Sequence, residues 1–203
     1  MSVIKELQLL EEYAGEGVGL NVGCGNVPIG TSIGVDINPA ALAARVISPA
    51  DRLPFADNIF DYVVSANALE HIDRGPVAVL REWARVVRMA GTVALVVPDA
   101  EYGIWSMTGD TGQVGQLCKP RREMEHLHAF TLTTLRMLFE FCGLAVFRAE
   151  KIDRRPQRAE TTLLVAANKT MAYVPERKPE WDYRQSSASR MHGVGHGALS
   201  STT

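Results

Sequence analysis

The stretch Leu20 to Asp36, LNVGCGNVPIGTSIGVD, restricts this chain more than any other. An apolar run, Val18 to Val22, enters a turn at Gly23-Cys24-Gly25, and a second short apolar run, Ile33 to Val35, ends on a single carboxylate, Asp36. Glycines at the carboxyl end of a buried strand let main-chain groups approach a ligand with no Cβ in the way. An acid closing the next strand accepts hydrogen bonds from both hydroxyls of a ribose. The bland alternative for the same residues is a tight strand exit followed by a helix N-cap.

The nature of the ligand is narrowed by what is missing. A dinucleotide fingerprint, G-x-G-x-x-G, needs a third glycine where this chain has Pro28, and its ribose acid falls about 20 residues further on, well beyond Asp36. That disfavours a nicotinamide or flavin dinucleotide. A ribose-bearing cofactor without a pyrophosphate remains, which fits S-adenosylmethionine.

The chain has 203 residues, 46% hydrophobic and 22% charged, enough for one globular domain with a substantial core. A formal charge of −2 gives no electrostatic reason to expect nucleic acid or an anionic membrane as partner. Cys24, Cys118 and Cys142 lack paired spacing, which speaks against a disulfide framework or zinc cluster and for a reducing, cytoplasmic setting. The first residues, MSVIKELQLLEEYAGEG, carry acids where a signal peptide needs a basic start, and no apolar stretch reaches the roughly 18 residues that span a bilayer.

Helical spacing of Val3, Leu7, Leu10 and Ala14 predicts an opening amphipathic helix, with Lys5, Glu6, Glu11 and Glu12 largely on its other faces. Only Asn26 to Thr31 separate the glycine turn from the second strand, too few for a usual parallel crossover, so the first crossover helix is expected to be short or absent. The turn backbone, helped by Asn26, would then have to receive a ligand carboxylate without a helix dipole behind it. NPAALAARVIS predicts a short helix and a third strand near Arg45 to Ser48. Phe60 to Ala66 reads as a strand buried on both faces.

A helix from Pro76 follows, with Val77, Leu80, Ala84 and Val87 inward and Arg81, Glu82, Arg85 and Arg88 outward on a solvated face. Thr92 to Val97 is the fifth strand, with Asp99 at its end. Residues 100–128 lack periodicity and read as a lid or substrate loop. Thr131 caps a helix carrying Leu135, Leu138, Phe139 and Cys142, and strands near Leu144 to Arg148 and Thr161 to Ala167 complete the sheet. The expected domain is residues 1–168. Residues 169–203 form a polar tail without an apolar stripe, read as disordered, and no metal site is assigned to its His192 and His196.

Taken in order, LNVGCG, the nearby VDI, LPF, FDYVVSANALEHI and LREWARVV resemble the class I S-adenosylmethionine-dependent methyltransferases, in particular the small type 11-like branch, over roughly Gly17 to Ala167. The resemblance implies an α/β fold. Its sheet is Rossmann-like, seven-stranded and mostly parallel with the last strand antiparallel, and helices cover both faces.

By position, it places Gly23, Cys24 and Gly25 beneath the methionine part of the cofactor, Asp36 on the ribose and Ile37 on the adenine. Asp51, Arg52 and Leu53 fall beside the adenine, and Ser65 and Asn67 flank the sulfonium. The family usually has an acid where this chain has Asn21, so cofactor affinity is expected to be lowered. Val27 stands where a third glycine is usual, and Pro49 where an adenine-contacting acid is usual, leaving Asp51 as substitute.

The implied activity is methyl transfer to a small molecule, a sugar or glycan-precursor hydroxyl among the candidates. The competing reading is a methyltransferase-like binding module without catalysis. His71, His126 and His128 are the candidate bases, each weighed against a structural role. With Cys118 the last two lack a sensible fourth ligand for zinc.

Overall fold

Strand residues of this chain alternate strictly between two apolar surfaces, and that alternation builds the molecule. The computed structural model describes residues 3–101, 127–155 and 160–170, all within one compact unit, Met1–Tyr173. Seven strands, β1 (Gly19–Val22), β2 (Ile33–Asp36), β3 (Val46–Ile47), β4 (Phe60–Ala66), β5 (Val87–Pro98), β6 (Leu144–Arg155) and β7 (Glu160–Lys169), form one sheet in the order β3-β2-β1-β4-β5-β7-β6. The pairs from β3 to β5 are parallel, and β7 runs antiparallel to both its neighbours.

Leu20, Val22, Val63, Val93, Leu95, Val97, Leu163 and Val165 face one side, where helices α2 (Pro76–Val86) and α3 (Leu132–Phe141) cover them with Leu80, Trp83, Leu135 and Phe139. Tyr62, Val64, Ala94, Val96, Leu164 and Ala166 face the other side, where Leu10 of helix α1 (Val3–Glu11) covers them. Both faces are thus dry, as parallel strands require. Each fully buried Leu or Phe in these clusters contributes about 1.5–3 kcal/mol of transfer free energy.

The connection from β1 to β2 contains no helix. Ile29, with no exposed surface, takes the place of a helix by docking on the α1 side of the sheet, and Asn21 Nδ2 donates to the Val27 carbonyl at 3.3 Å to hold the loop down.

The expected short helix after Asp36 does not form either. Its amides are drawn elsewhere: Ala43 N donates to the Gly25 carbonyl (3.1 Å), Leu42 N to Asn26 Oδ1 (3.0 Å) and Ala40 N to Asn38 Oδ1 (3.0 Å). With those donors committed to the glycine turn, an i→i−4 ladder has nothing to run on.

One further difference concerns the end of α2. Val87 opens β5 instead of closing α2, and the chain is re-aimed at a bulge between Phe60 and Tyr62 of β4, opposite which Ala90 takes φ +60°. At α3 the expected cap is present: Thr131 Oγ1 accepts from Thr134 N at 3.2 Å, and Thr134 Oγ1 accepts from Thr131 N at 3.0 Å. Of the tail reading, 169–203, Lys169 ends β7 and residues 171–203 lie outside the described residues, as do residues 102–126 of the lid reading.

Candidate cofactor site

Strand β1 lies between β2 and β4, the point at which successive connections leave the sheet in opposite directions. In open parallel sheets the crevice beyond the carboxyl ends of such strands is where ligands bind. The turn that closes β1 is shaped by its glycines: Gly23 has φ +70° and Gly25 φ +51°. A Cβ on Gly23 would stand 2.3 Å from the Cβ of Ala68, so the turn and the segment after β4 are in direct contact.

The turn is fastened to β2. Gly23 N and Cys24 N both donate to the Val35 carbonyl, at 2.8 and 3.2 Å. Gly25 N donates to Asp36 Oδ2 at 2.8 Å, and Asn38 N donates to Asp36 Oδ1 at 2.9 Å. The three turn amides therefore already have acceptors, which differs from the expectation that they receive a ligand carboxylate. The missing helix left Val35 and Asp36 as the nearest acceptors, and the turn closed on them.

A carboxylate offers about four lone-pair positions, so each Asp36 oxygen keeps one for a ligand hydroxyl. Nothing lies within 4 Å of where a Gly25 Cβ would stand. The half-buried acid and the open space above the glycine form one corner of the crevice.

The remaining residues of the sequence-based set divide by how they are used. Cys24 is buried, with its sulfur 3.0 Å from where a Gly34 Cβ would be. Burial, and then the Asp36 carboxylate, push its thiol up to about 11, so it is a neutral packing group at physiological pH. Ser65, also buried, donates from Oγ to the Val22 carbonyl at 2.8 Å and binds the end of β4 to that of β1. Asn67 takes φ +50° and donates from Nδ2 to Glu6 Oε2 at 3.0 Å.

Ile37 is 70% exposed just past Asp36, whereas Leu53 is 5% exposed and packs in the core. Asp51 is engaged by Arg74 Nε at 3.1 Å, with Arg52 Nε at 4.0 Å. Asn21 is buried under the loop it clamps.

The histidines also separate. His71 ends a single 3-10 turn, Leu69–His71, after β4; its side chain is 34% exposed and its Nε2 lies 3.9 Å from Glu70 Oε1. His128 Nε2 donates to the Ile72 carbonyl at 2.9 Å, and the main-chain N–H groups of Leu127 and His128 donate to the Glu70 carbonyl at 2.7 and 3.1 Å. That ring anchors the returning chain beside the segment after β4 and retains Nδ1 for other use. His126 lies outside the described residues.

Residues 14–95 match a family model described as a methyltransferase domain. The matched span takes in the glycine turn, Asp36 and the segment after β4. No curated protein matches this chain.

The chain shares its fold with an S-adenosylmethionine-dependent methyltransferase of Thermotoga maritima. That structure is 18% identical with TM-score 0.65, and the match covers 83% of this chain and 90% of that one. A 1,6-didemethyltoxoflavin-N1-methyltransferase of Burkholderia thailandensis, solved with 1,6-didemethyltoxoflavin and S-adenosylhomocysteine bound, is 16% identical with TM-score 0.63; the match covers 84% of this chain and 79% of that one. The [4+2]-cyclase SpnF is as similar in backbone, 16% identical with TM-score 0.61, the match covering 82% and 81%. Likeness at this level carries the fold, and the chemistry of this chain has to be argued from its own site.

Sequence reasoning missed three contributors. Glu6, expected on the outer face of α1, is 2% exposed and accepts from Asn67 and from Thr162 Oγ1 (2.7 Å). Its spacing of four from Leu10 is the signal that put it on the inner stripe. Glu82 and Arg85, expected to be solvated, brace the segment carrying Leu53. Leu53 N donates to Glu82 Oε1 (2.7 Å), and Arg85 donates to the Leu53 and Phe55 carbonyls and to Asp57 Oδ1 (3.1, 2.8 and 2.6 Å). No sequence periodicity reports such a brace, because its acceptors are carbonyls of an irregular segment.

Proposed function

We propose that this chain is an S-adenosylmethionine-dependent methyltransferase that holds the ribose of the cofactor on Asp36 and passes the methyl group to a small-molecule acceptor bound beyond the end of β4. The observation that carries this reading is the Gly25–Asp36 contact, which presents a carboxylate with spare acceptor capacity beside open space at the crevice. When bound, S-adenosylmethionine supplies a methyl carbon already activated by a sulfonium. The chain's own work is therefore alignment, exclusion of water and, for a protonated acceptor, removal of a proton.

Ile37 offers an exposed apolar surface to the adenine, and Ser65 keeps the ends of β1 and β4 at fixed separation. His71 is the candidate for the proton, because its ring lies directly after β4 and is partly exposed there. A hydroxyl acceptor, such as that of a sugar, requires such a base. The neighbour crystallised with 1,6-didemethyltoxoflavin supports a small molecule in this place. A formal charge of −2 and three cysteines without paired spacing favour a cytoplasmic enzyme without nucleic-acid partners. Among the described residues no helix is long and apolar enough to cross a membrane.

The test is a mass-resolved screen of pooled metabolites with the purified chain and S-adenosylmethionine. Growth of species heavier by one methylene, dependent on the cofactor and lost in Asp36→Ala, supports the reading. Methylation that is undiminished in Asp36→Ala contradicts it.

A further inference from the structure

Glu6 brings a buried carboxylate from α1 to the carboxyl ends of β4 and β7, where it accepts from Asn67 Nδ2 at 3.0 Å and from Thr162 Oγ1 at 2.7 Å. The first of these bonds fixes the orientation of the Asn67 amide. Flipping it would set the amide oxygen against a carboxylate oxygen, two acceptors with no proton between them. Asn67 Oδ1 is consequently held away from Glu6. It is buried and, among the described residues, has no hydrogen-bond donor.

A buried acceptor left unmatched is a feature that folded proteins rarely keep without use. This one belongs to a residue held at φ +50° directly after β4, a backbone state that non-glycine residues adopt at a cost. Its neighbour Ala68 abuts the glycine turn, so Asn67 stands at the edge of the crevice. Donation from Nδ2 to a carboxylate also polarises the amide and raises the negative charge on Oδ1.

We infer that Glu6 is a positioning residue. It holds the Asn67 amide oxygen ready for an N–H or O–H donor at the methyl-transfer end of the pocket, so that the acceptor molecule is a hydroxyl or amine compound. Asn67 orients that group and takes no proton from it. Thr162 fixes the second Glu6 oxygen and keeps the carboxylate from rotating. The inference rests on the cofactor reading above.

A cofactor analogue probes it without knowledge of the acceptor. Sinefungin carries an amino group where S-adenosylmethionine carries its methyl sulfonium, whereas S-adenosylhomocysteine has no group there. Isothermal titration of both ligands into the full chain should show sinefungin bound about ten-fold more tightly than S-adenosylhomocysteine, the scale of one charge-assisted hydrogen bond. In Glu6→Leu, which removes both acceptor oxygens and frees the Asn67 amide to turn, the ratio should fall towards one while S-adenosylhomocysteine affinity stays within about two-fold.

Asn67→Gly, which a left-handed backbone accepts without strain, should give the same loss if Glu6→Leu does not fold. A wild-type ratio of one or less, or a ratio unchanged in the folded variants, overturns the inference while leaving the cofactor reading intact. If neither ligand binds the wild-type chain, the cofactor reading falls and this inference falls with it.

Discussion

The amide of Gly25 donates to Oδ2 of Asp36 at 2.8 Å, joining the end of β1 to the end of β2 through one side chain. The acid is thereby held in place before any ligand arrives, and the two glycines of the turn have separable duties. Gly25→Ala meets no neighbour but must hold φ +51°, so it should cost about 1–2 kcal/mol in a urea melt and weaken cofactor binding by filling the open space. Gly23→Ala adds a Cβ 2.3 Å from that of Ala68 at φ +70° and should cost more, about 2–4 kcal/mol. Equal costs for the two variants would contradict this division.

The segment from Leu53 to Asp57 should loosen when its brace is cut. Glu82→Ala removes the acceptor of Leu53 N and two hydrogen bonds from Arg85, whose side chain is 24% exposed. The Glu82 carboxylate, and after it Asp57, hold the Arg85 guanidinium protonated beyond its ordinary range, opposing burial. Loss of about 2–4 kcal/mol by chemical denaturation is expected, because a half-buried cation and a main-chain donor lose a partner together. A change under about 0.5 kcal/mol, the scale of an exposed pair, would show the brace to be superficial.

Asn21→Asp tests whether the acid usual in the family can simply be restored. Asn21 Nδ2 donates to the Val27 carbonyl, and an ionised carboxylate there would face that carbonyl while 2% exposed. The variant should be destabilised by about 1–3 kcal/mol at neutral pH and should bind S-adenosylmethionine no more tightly than the wild type. Tighter binding at unchanged stability would show that the loop does not depend on this clamp.

The thiols of Cys24 and Cys142 give a pH signature. Burial is the larger cause in both, and each is raised from an ordinary 9.0 to about 11. The folded state therefore keeps a proton that the unfolded state gives up. The associated stability is complete below pH 9.0 and is lost as pH rises towards about 11. Peptide-resolved iodoacetamide labelling at pH 8 should proceed about 100-fold more slowly at these cysteines than in the unfolded chain, following the thiolate fraction. Labelling at the unfolded rate would contradict their burial.

The centre of the sheet was legible because β1, β2, β4 and the carboxyl half of β5 are short apolar runs bounded by Gly, Pro, Asn or Asp, and the turn-acid pair because strand β2 puts Asp36 beside Gly25 with little freedom to place it elsewhere. The helix expected after Asp36 failed for a reason that local propensity cannot see. Ala-rich sequence favours helix, yet Asn26 and Gly25 compete for the amides of Leu42 and Ala43 from a distant part of the chain. Charges on helices were misread in the same way. Glu6, Glu82 and Arg85 are charged residues that tertiary partners bury or half-bury, and a polar residue on an amphipathic pattern reads as solvated until its partner is known.

Everything functional depends on Asp36 holding the nucleoside. Isothermal titration of S-adenosylhomocysteine into the wild-type chain and into folded Asp36→Ala measures that directly. Saturable binding to the wild type, weakened at least about 100-fold in the variant by the loss of two hydrogen bonds to a charged acceptor, is the predicted result. Equal affinity in the two proteins would contradict it.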